Sequence, residues 1–129
     1  YRHSIVEERK LIVLEVTLEL EHGSREAIDD RMKELAEARR SKQPLEYPSA
    51  GSTFKRPEGY FAGKLIMDAG LRGYSVGGAQ VAEKHCGFVI NKGGATASDV
   101  VELIRDVQHD VDDKFGVTLE PEVKMLGEF

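Results

Sequence analysis

The sequence of 129 residues predicts an α+β fold, and three observations support this prediction. Residues 11–20 alternate apolar and polar side chains, which is the period of a half-buried strand. The segment that opens at Thr96 carries apolar side chains four, three, four and four residues apart, which is the period of an amphipathic helix. Strand and helix patterns do not alternate regularly, so a mixed fold is favoured over a doubly wound parallel sheet.

The first two predicted elements lie within residues 11–42. In the strand over residues 11–20, the apolar side chains that alternate with glutamate and threonine are Ile12, Leu14, Val16, Leu18 and Leu20. Ser24 can cap a following helix that runs to about Lys42 and stops before Pro44. One face of this helix is apolar and consists of Ile28, Met32, Leu35 and Ala36.

The centre of the chain predicts a loop, a short helix and a small sheet. Residues 43–60 contain three prolines and two glycines, which exclude a long regular element and predict an ordered loop. A helix over residues 62–69 follows, with Gly70 as its stop and an inward face of Leu65, Ile66 and Ala69. Residues 73–81 and the apolar run 87–90 are predicted to belong to one sheet.

The last predicted elements are a long helix and two short strands. Thr96 and Asp99 form an approximate capping pair, and the apolar face behind them consists of Val100, Ile104, Val107, Val111 and Phe115. Gly116 ends this helix. Residues 117–119 and 123–126 are predicted to form closing strand segments that Pro121 interrupts.

Composition and charge exclude several classes of protein. A chain of this length can bury roughly two thirds of its unfolded surface around one core, and its single cysteine, Cys86, is typical of a reduced cytoplasmic protein. The net charge of −5 argues against general nucleic-acid binding. No apolar run approaches the roughly 20 residues of a spanning helix and no leader pattern is found, so neither membrane nor secretion is implied. Because the chain begins at Tyr1 without a methionine, we expect it to be part of something longer.

Residues 48–57 form the first candidate site. Gly51 frees the backbone just before the hydroxyl pair Ser52 and Thr53, and two cations, Lys55 and Arg56, follow within four residues. Backbone N–H groups, hydroxyls and cations in such a loop suit an anionic ligand. The alternative is a turn in which the hydroxyls satisfy their own backbone.

Three further groups of charged residues are candidates. Glu120 and Glu122 share one face if the segment is extended and would then raise each other's pKa, although surface acidic pairs are common. Arg2 can clamp a carboxylate bidentately. The basic residues 39–42 oppose the dipole at the end of the predicted helix, with phosphate binding as the alternative.

Two other chemistries are not supported. His85 and Cys86 have no second cysteine or histidine at a zinc-like spacing, so no metal site is expected. Gly77 and Gly78 do not belong to a glycine-rich dinucleotide fingerprint that opens a helix after a strand.

Five segments together carry a resemblance. In order and spacing, the sequence is similar to the UDP-N-acetylenolpyruvoylglucosamine reductase family over residues 1–4, 39–44, 50–55, 73–81 and 119–124. The match covers essentially the whole chain and points to the shorter subclass, because no long insertion separates the predicted strand and helix. The resemblance implies a cytoplasmic oxidoreductase of peptidoglycan precursor synthesis, and thus of cell-wall biogenesis, cell shape and division. Such a flavoprotein binds FAD, takes hydride from NADPH and reduces UDP-N-acetylglucosamine enolpyruvate to UDP-N-acetylmuramate.

The resemblance also implies roles for individual residues. Ser52 would be the general acid, while Arg2 and Glu122 would stabilise the enolate-like intermediate. The positions matching substrate contacts are Lys42, Arg39, Arg56 and Lys124, and those matching cofactor contacts are Tyr1 and Gly51. Arg56 departs from longer members of the family, which have asparagine there, and Glu120 is a neighbour rather than a catalyst.

A domain organisation follows from the same resemblance. Residues 1–43 would be the C-terminal remnant of the FAD-binding domain, and residues 44–129 the substrate-binding domain. The family's N-terminal FAD-binding half is missing upstream of Tyr1, so we expect the isolated chain to be inactive. The alternative is a non-catalytic nucleotide- or anion-binding module, with residues 51–56 as its site; a third reading treats all these groups as surface.

Overall fold

The computed structural model describes residues 3–127 of the chain. The chain divides into two compact units, Tyr1–Lys33 and Glu34–Phe129, and the division falls at residues of one long helix. Helices occur together with a four-stranded antiparallel sheet, which confirms the α+β class. The proposed domain boundary at residues 43 and 44 stays a prediction. Among the helices between residues 3 and 127, none is long and apolar enough to cross a membrane.

The first unit contains a short helix and an irregular segment. Helix α1 spans Ile5–Glu8 and begins after Ser4, whose hydroxyl accepts a hydrogen bond from the Glu7 N–H at 3.4 Å. The prediction of a strand over residues 11–20 is wrong for the structure, because this segment forms neither helix nor strand and its apolar side chains are exposed. A strand is held by hydrogen bonds to a neighbouring strand, and no β pairing among residues 3–127 includes this segment.

Helix α2 spans Arg25–Lys42, as the sequence predicts. Its apolar face is largely exposed, with Ile28, Met32 and Leu35 at 49%, 63% and 52% of full exposure. Its last turn is basic, which opposes the negative end of the helix dipole.

The second unit is organised around a small antiparallel sheet. Its strands are β1 at Ser49–Ser52, β2 at Ser75–Val76, β3 at Ala79–Val81 and β4 at Phe88–Asn91, and their spatial order is β1-β4-β3-β2. The prediction that the segments over residues 73–81 and 87–90 share one sheet is therefore confirmed. Strand β1 lies inside the predicted loop over residues 43–60, which contains no longer element.

Two helices cover this sheet. Helix α3 spans Ala62–Asp68, ends near the predicted stop at Gly70, and buries the predicted inward face of Leu65, Ile66 and Ala69. Helix α4 spans Ala97–Phe115 and begins with the predicted capping box of Thr96 and Asp99. It ends at Gly116, whose φ of 63° lies in the left-handed region.

The core lies between these helices and the sheet. Its fully buried large side chains are Ile66, Val81, Leu103, Ile104, Val107, Val111 and Leu119. Of the predicted α4 face, Val100 is only partly buried and Phe115 is 40% exposed.

The C-terminal segment packs without forming strands. The prediction of closing strands at residues 117–119 and 123–126 is wrong, since the described residues after α4 form only one isolated bridge, between Pro121 and Phe54. Proline has no N–H to donate to a ladder, so regular pairing cannot continue through this position. Leu119 nevertheless anchors the segment in the core, where it is fully buried.

Candidate functional site

A surface cavity of about 500 Å³ lies beside strand β1. This volume is within the range of about 300–1,000 Å³ that is usual for small-molecule sites. Three of the predicted site residues, Arg39, Gly51 and Ser52, line it together. The remaining lining residues are Gln43, Pro44, Leu45, Tyr47, Pro48, Ser49 and Phe88. The cavity therefore joins the end of α2 to the loop that the sequence predicts to bind an anion.

A β-bulge shapes strand β1 at this cavity. Ser49 pairs with Ile90 and Ser52 pairs with Phe88, so β1 uses three residue steps where β4 uses two. Gly51 lies within the bulge with a φ of 88°, a backbone conformation that residues other than glycine rarely adopt. Bulges bend a strand and redirect the next side chain, and here that side chain is the exposed Ser52.

Thr53 connects Ser52 to the C-terminal segment. Its side chain is 3% exposed, and its hydroxyl accepts a hydrogen bond from the Val89 N–H at 3.0 Å. Its N–H donates to the Gly87 carbonyl at 2.9 Å, and its carbonyl accepts from the Glu122 N–H at 2.8 Å. The backbones of Ser52 and Glu122, two predicted catalytic residues, are therefore held through one buried residue.

The predicted cations are distributed over this unit. Arg39 lines the cavity and donates from Nε to Gln43 Oε1 at 3.1 Å. Lys42 and Lys124 are exposed and do not line this cavity. Arg56 also lies outside the cavity lining, and its guanidinium stacks 4.0 Å from the centroid of the Phe61 ring.

Glu120 and Glu122 have different surroundings. Glu120 is exposed and forms an ion pair with Lys55, and its carbonyl accepts a hydrogen bond from the Lys55 N–H at 2.8 Å. Glu122 is half-buried, and its backbone is bonded to Thr53. The structure thus pairs Glu120 with the Lys55 cation, and its assignment as a neighbour of the catalytic residues stays a prediction. The calls on Tyr1 and Arg2 lie outside the described residues.

A second cavity of about 420 Å³ lies on the other side of the segment at Pro44 and Tyr47, which line both cavities. Glu46 and Lys84 form an ion pair there at 3.0 Å, and the Lys92 ammonium lies 4.5 Å from the Tyr47 ring centroid. A backbone hydrogen bond and the Lys84 ammonium lower the pKa of Glu46. A hydrogen bond to Tyr47 raises the pKa of Lys92. These pairs brace the segment that separates the two cavities.

Comparison with known proteins identifies the family. The model of the family described as UDP-N-acetylenolpyruvoylglucosamine reductase, C-terminal domain, matches residues 43–126, well over half of the chain. The chain belongs to this reductase family. The matched residues include the loop at Ser52, Thr53 and Glu122, so most of the cavity lining lies in the family's C-terminal domain, whereas Arg39 precedes the matched residues.

Relatives of the reductase family match along the whole chain. The chain is 68% identical to the UDP-N-acetylenolpyruvoylglucosamine reductase of Agathobacter rectalis, covering 100% of this chain and 41% of that protein. It is 66% identical to the reductase of Lachnoclostridium phytofermentans, covering 99% of this chain and 41% of that protein. The chain therefore spans about two fifths of the length of these curated relatives.

A solved reductase structure has the same fold. The crystal structure of UDP-N-acetylenolpyruvylglucosamine reductase from Thermus caldophilus matches with a TM-score of 0.64 and 40% sequence identity. The match covers 81% of this chain and 37% of that chain. The resemblance stated from the sequence motifs is confirmed by these matches.

Sequence reasoning missed two features around the candidate site. It treated Thr53 as one of a hydroxyl pair for ligand binding, whereas the hydroxyl is buried and bonded to Val89. It also missed the contact between Arg56 and Phe61. Neither contact has a periodic signal, although the unusual aromatic residue before helix α3 could have indicated the second.

Among residues 3–127, no three histidine, cysteine, aspartate or glutamate side chains are grouped to hold a metal ion.

Proposed function

We propose that this chain forms the substrate-binding side of an FAD-dependent reductase that converts UDP-N-acetylglucosamine enolpyruvate to UDP-N-acetylmuramate with NADPH. The observation that carries the proposal is the cavity in which Arg39, Gly51 and the exposed Ser52 meet, in a chain of the reductase family. The product is a peptidoglycan precursor, so the complete protein would serve cell-wall biogenesis. One unpaired cysteine, which is buried, fits a reducing cytoplasm.

The proposed chemistry divides between hydride delivery and charge management. A bound flavin would supply a hydride for the terminal carbon of the enolpyruvyl double bond. The electron pair of that bond then resides on the neighbouring carbon and its carboxylate. Ser52 donates its hydroxyl proton to this carbon, completing the saturated lactyl ether. Solvent then returns a proton to Ser52.

Arg2 and Glu122 act on the substrate carboxylate in this proposal. Arg2 provides a fixed positive charge where negative charge develops, and such preorganised charge is usually the largest catalytic contribution. Glu122 in its protonated form donates a hydrogen bond to the same group. The hydrogen bond from the Glu122 N–H to the Thr53 carbonyl supports this role, because it ties Glu122 to the residue after Ser52.

The basic residues bind the remaining anionic part of the substrate. Lys42 contacts the diphosphate, and Arg39, Arg56 and Lys124 contribute further positive charge near the UDP-sugar. The position of Arg39 and the basic last turn of α2 at one end of the cavity support this assignment.

The space beside the Gly51 backbone is open and could admit a cofactor. A Cβ atom built at Gly51 would meet no other heavy atom within 4 Å, so the space beside its backbone is open. A flat ring could approach there as closely as glycine permits. Gly51 and Tyr1 would hold the flavin from this chain, with residues 1–43 as the end of the FAD-binding domain and residues 44–129 as the substrate domain.

The decisive experiment separates the two half-reactions. It uses a flavin-loaded enzyme of the relatives' full length that carries this chain as its C-terminal part, with Ser52→Ala as the test variant. NADPH should reduce the flavin at the same rate in both proteins. Reoxidation by UDP-N-acetylglucosamine enolpyruvate should be about 10²–10⁴ times slower in the variant, because a positioned proton donor is lost. Stopped-flow absorbance of the oxidised flavin measures both rates.

Two outcomes would contradict the proposal. If the unmodified enzyme does not reoxidise its flavin with the UDP-sugar, this substrate is wrong. If Ser52→Ala reoxidises as fast as the unmodified enzyme, Ser52 is not the acid. An enzyme without turnover that still binds the UDP-sugar would favour the non-catalytic nucleotide-binding module.

A further inference from the structure

Phe61 occupies a position that neither helix capping nor the core explains. It is the N-cap residue of helix α3, with extended backbone angles of φ −116° and ψ 118° and no side-chain capping hydrogen bond. Serine, threonine, aspartate and asparagine are preferred at this position because their oxygen atoms accept from the first turn. The Phe61 side chain offers no acceptor and is 60% exposed. Its presence here therefore suggests a role other than stability.

Arg56 covers the exposed aromatic ring. The guanidinium carbon lies 4.0 Å from the Phe61 ring centroid, well within the roughly 6 Å of a cation–π contact. Arg56 Nε donates to the Tyr60 carbonyl at 3.3 Å. The side chain is thus fixed by a ring on one face and by a carbonyl at Nε, although arginine is long and flexible when free.

The two terminal nitrogens of Arg56 remain available. Within the described part of the chain, neither Nη1 nor Nη2 forms a hydrogen bond or an ion pair, whereas Nε donates to the Tyr60 carbonyl. A guanidinium offers a fork of N–H donors that matches the oxygens of a phosphate or carboxylate. Ser52 lies four residues before Arg56, so their Cα atoms are at most roughly 13 Å apart, at about 3.3 Å per extended residue. One UDP-sugar is long enough to reach both residues.

We propose that Phe61 is a positioning residue that holds the Arg56 guanidinium ready for the diphosphate of the UDP-sugar. The inference rests on the proposed function and adds to it that Phe61 strengthens the contact between Arg56 and the diphosphate. Phe61 does not touch the reacting atoms. Its loss should weaken substrate binding and leave the chemical steps unchanged.

The test compares four replacements of Phe61 in the same full-length, flavin-loaded enzyme. Phe61→Ser and Phe61→Leu remove the aromatic face, while Phe61→Tyr and Phe61→Trp keep it. We expect Phe61→Ser and Phe61→Leu to raise KM for the UDP-sugar about 3- to 10-fold, since both the cation–π contact and the ordering of Arg56 are lost. Phe61→Tyr and Phe61→Trp should stay within about twofold of the unmodified KM. The kcat should remain within about twofold in all four variants.

Phe61→Ser distinguishes positioning from stability. A serine at the N-cap accepts a hydrogen bond from the first turn of α3. The melting temperature of the Phe61→Ser enzyme should therefore equal or exceed that of the unmodified enzyme. A rise in KM without a fall in melting temperature cannot come from a weakened fold. Inhibition by UDP should weaken in parallel with KM, whereas inhibition by uridine, which has no phosphate, should not change.

A second-site variant tests whether Phe61 acts through Arg56. Arg56→Ala removes the guanidinium that Phe61 orders, so adding Phe61→Ser to it should change KM by less than about twofold. A Phe61→Ser enzyme with unchanged KM would overturn the inference, as would an equal effect of Phe61→Ser with and without Arg56. Failure of the unmodified enzyme to use the UDP-sugar would instead overturn the proposed function.

Discussion

Replacing Thr53 by valine removes one oxygen atom and preserves the shape of a side chain that is 3% exposed. The Val89 N–H, which donates to the Thr53 hydroxyl at 3.0 Å, would then have no acceptor there. Val89 is itself largely buried, at 8% exposure. Leaving a buried donor unsatisfied costs about 1–3 kcal/mol. The added methyl group recovers about 0.8 kcal/mol at most by apolar burial.

The net expectation for Thr53→Val is a loss of about 0.2–2.2 kcal/mol in the free energy of unfolding, with a midpoint near 1 kcal/mol. For a unit of roughly 100 residues, a loss of about 1 kcal/mol corresponds to a melting temperature lower by about 4–8 °C. Thr53→Ser is the matched control, because it keeps the hydroxyl and loses only a methyl group, at about 1 kcal/mol.

Amide hydrogen exchange separates the two variants although their stabilities are similar. Thr53→Val should accelerate exchange of the Val89 amide more than that of its neighbours in β4. Thr53→Ser should change all β4 amides only in proportion to the lost stability. If Thr53→Val leaves both the stability and the Val89 exchange rate unchanged, the hydrogen bond from the Val89 N–H to the Thr53 hydroxyl does not stabilise the fold, and the reasoning fails.

Two further predictions concern the bulge and the long helix. Gly51→Ala should lower the free energy of unfolding by about 1–2 kcal/mol, measured by denaturant unfolding, because φ is 88° and no steric clash adds to the backbone cost. Gly51→Asn should lose less, since asparagine tolerates this conformation, and equal losses for both would argue against backbone strain. A hydrogen bond from the Thr96 backbone holds the pKa of Asp99 below its ordinary value of 3.8. Its stabilising contribution is therefore present above that value and lost as pH falls through the lower, folded-state pKa, so Asp99→Asn should flatten the acid side of a plot of melting temperature against pH. An identical acid side in both proteins would contradict this.

Local sequence signals predicted much of the second unit correctly. The capping box of Thr96 and Asp99 and the left-handed Gly116 depend on residues within one helical turn, so the bounds of α4 were readable from the chain. The buried face of α3 followed from the same helical periodicity.

Pairing of strands was predicted less well, because it depends on distant residues. The alternation over residues 11–20 shows which side chains would share a face, but it does not provide a neighbouring strand, and none of the described residues pairs with it. Strand β1 shows the converse case. Its residues lack strand periodicity, and it forms because β4 supplies the ladder partners.

The candidate site divides in the same way. The sequence by itself determined the family, the position of the candidate anion-binding loop and the chemical types of Ser52, Arg39 and Glu122, because these depend on residue identity, order and spacing. Only the tertiary structure decided that a bulge at Gly51 exposes Ser52 beside Arg39, and that the buried Thr53 links Ser52 to Glu122. The physical reason is that these contacts are hydrogen bonds and packing between segments far apart in the chain, and such contacts leave no period or spacing in the sequence.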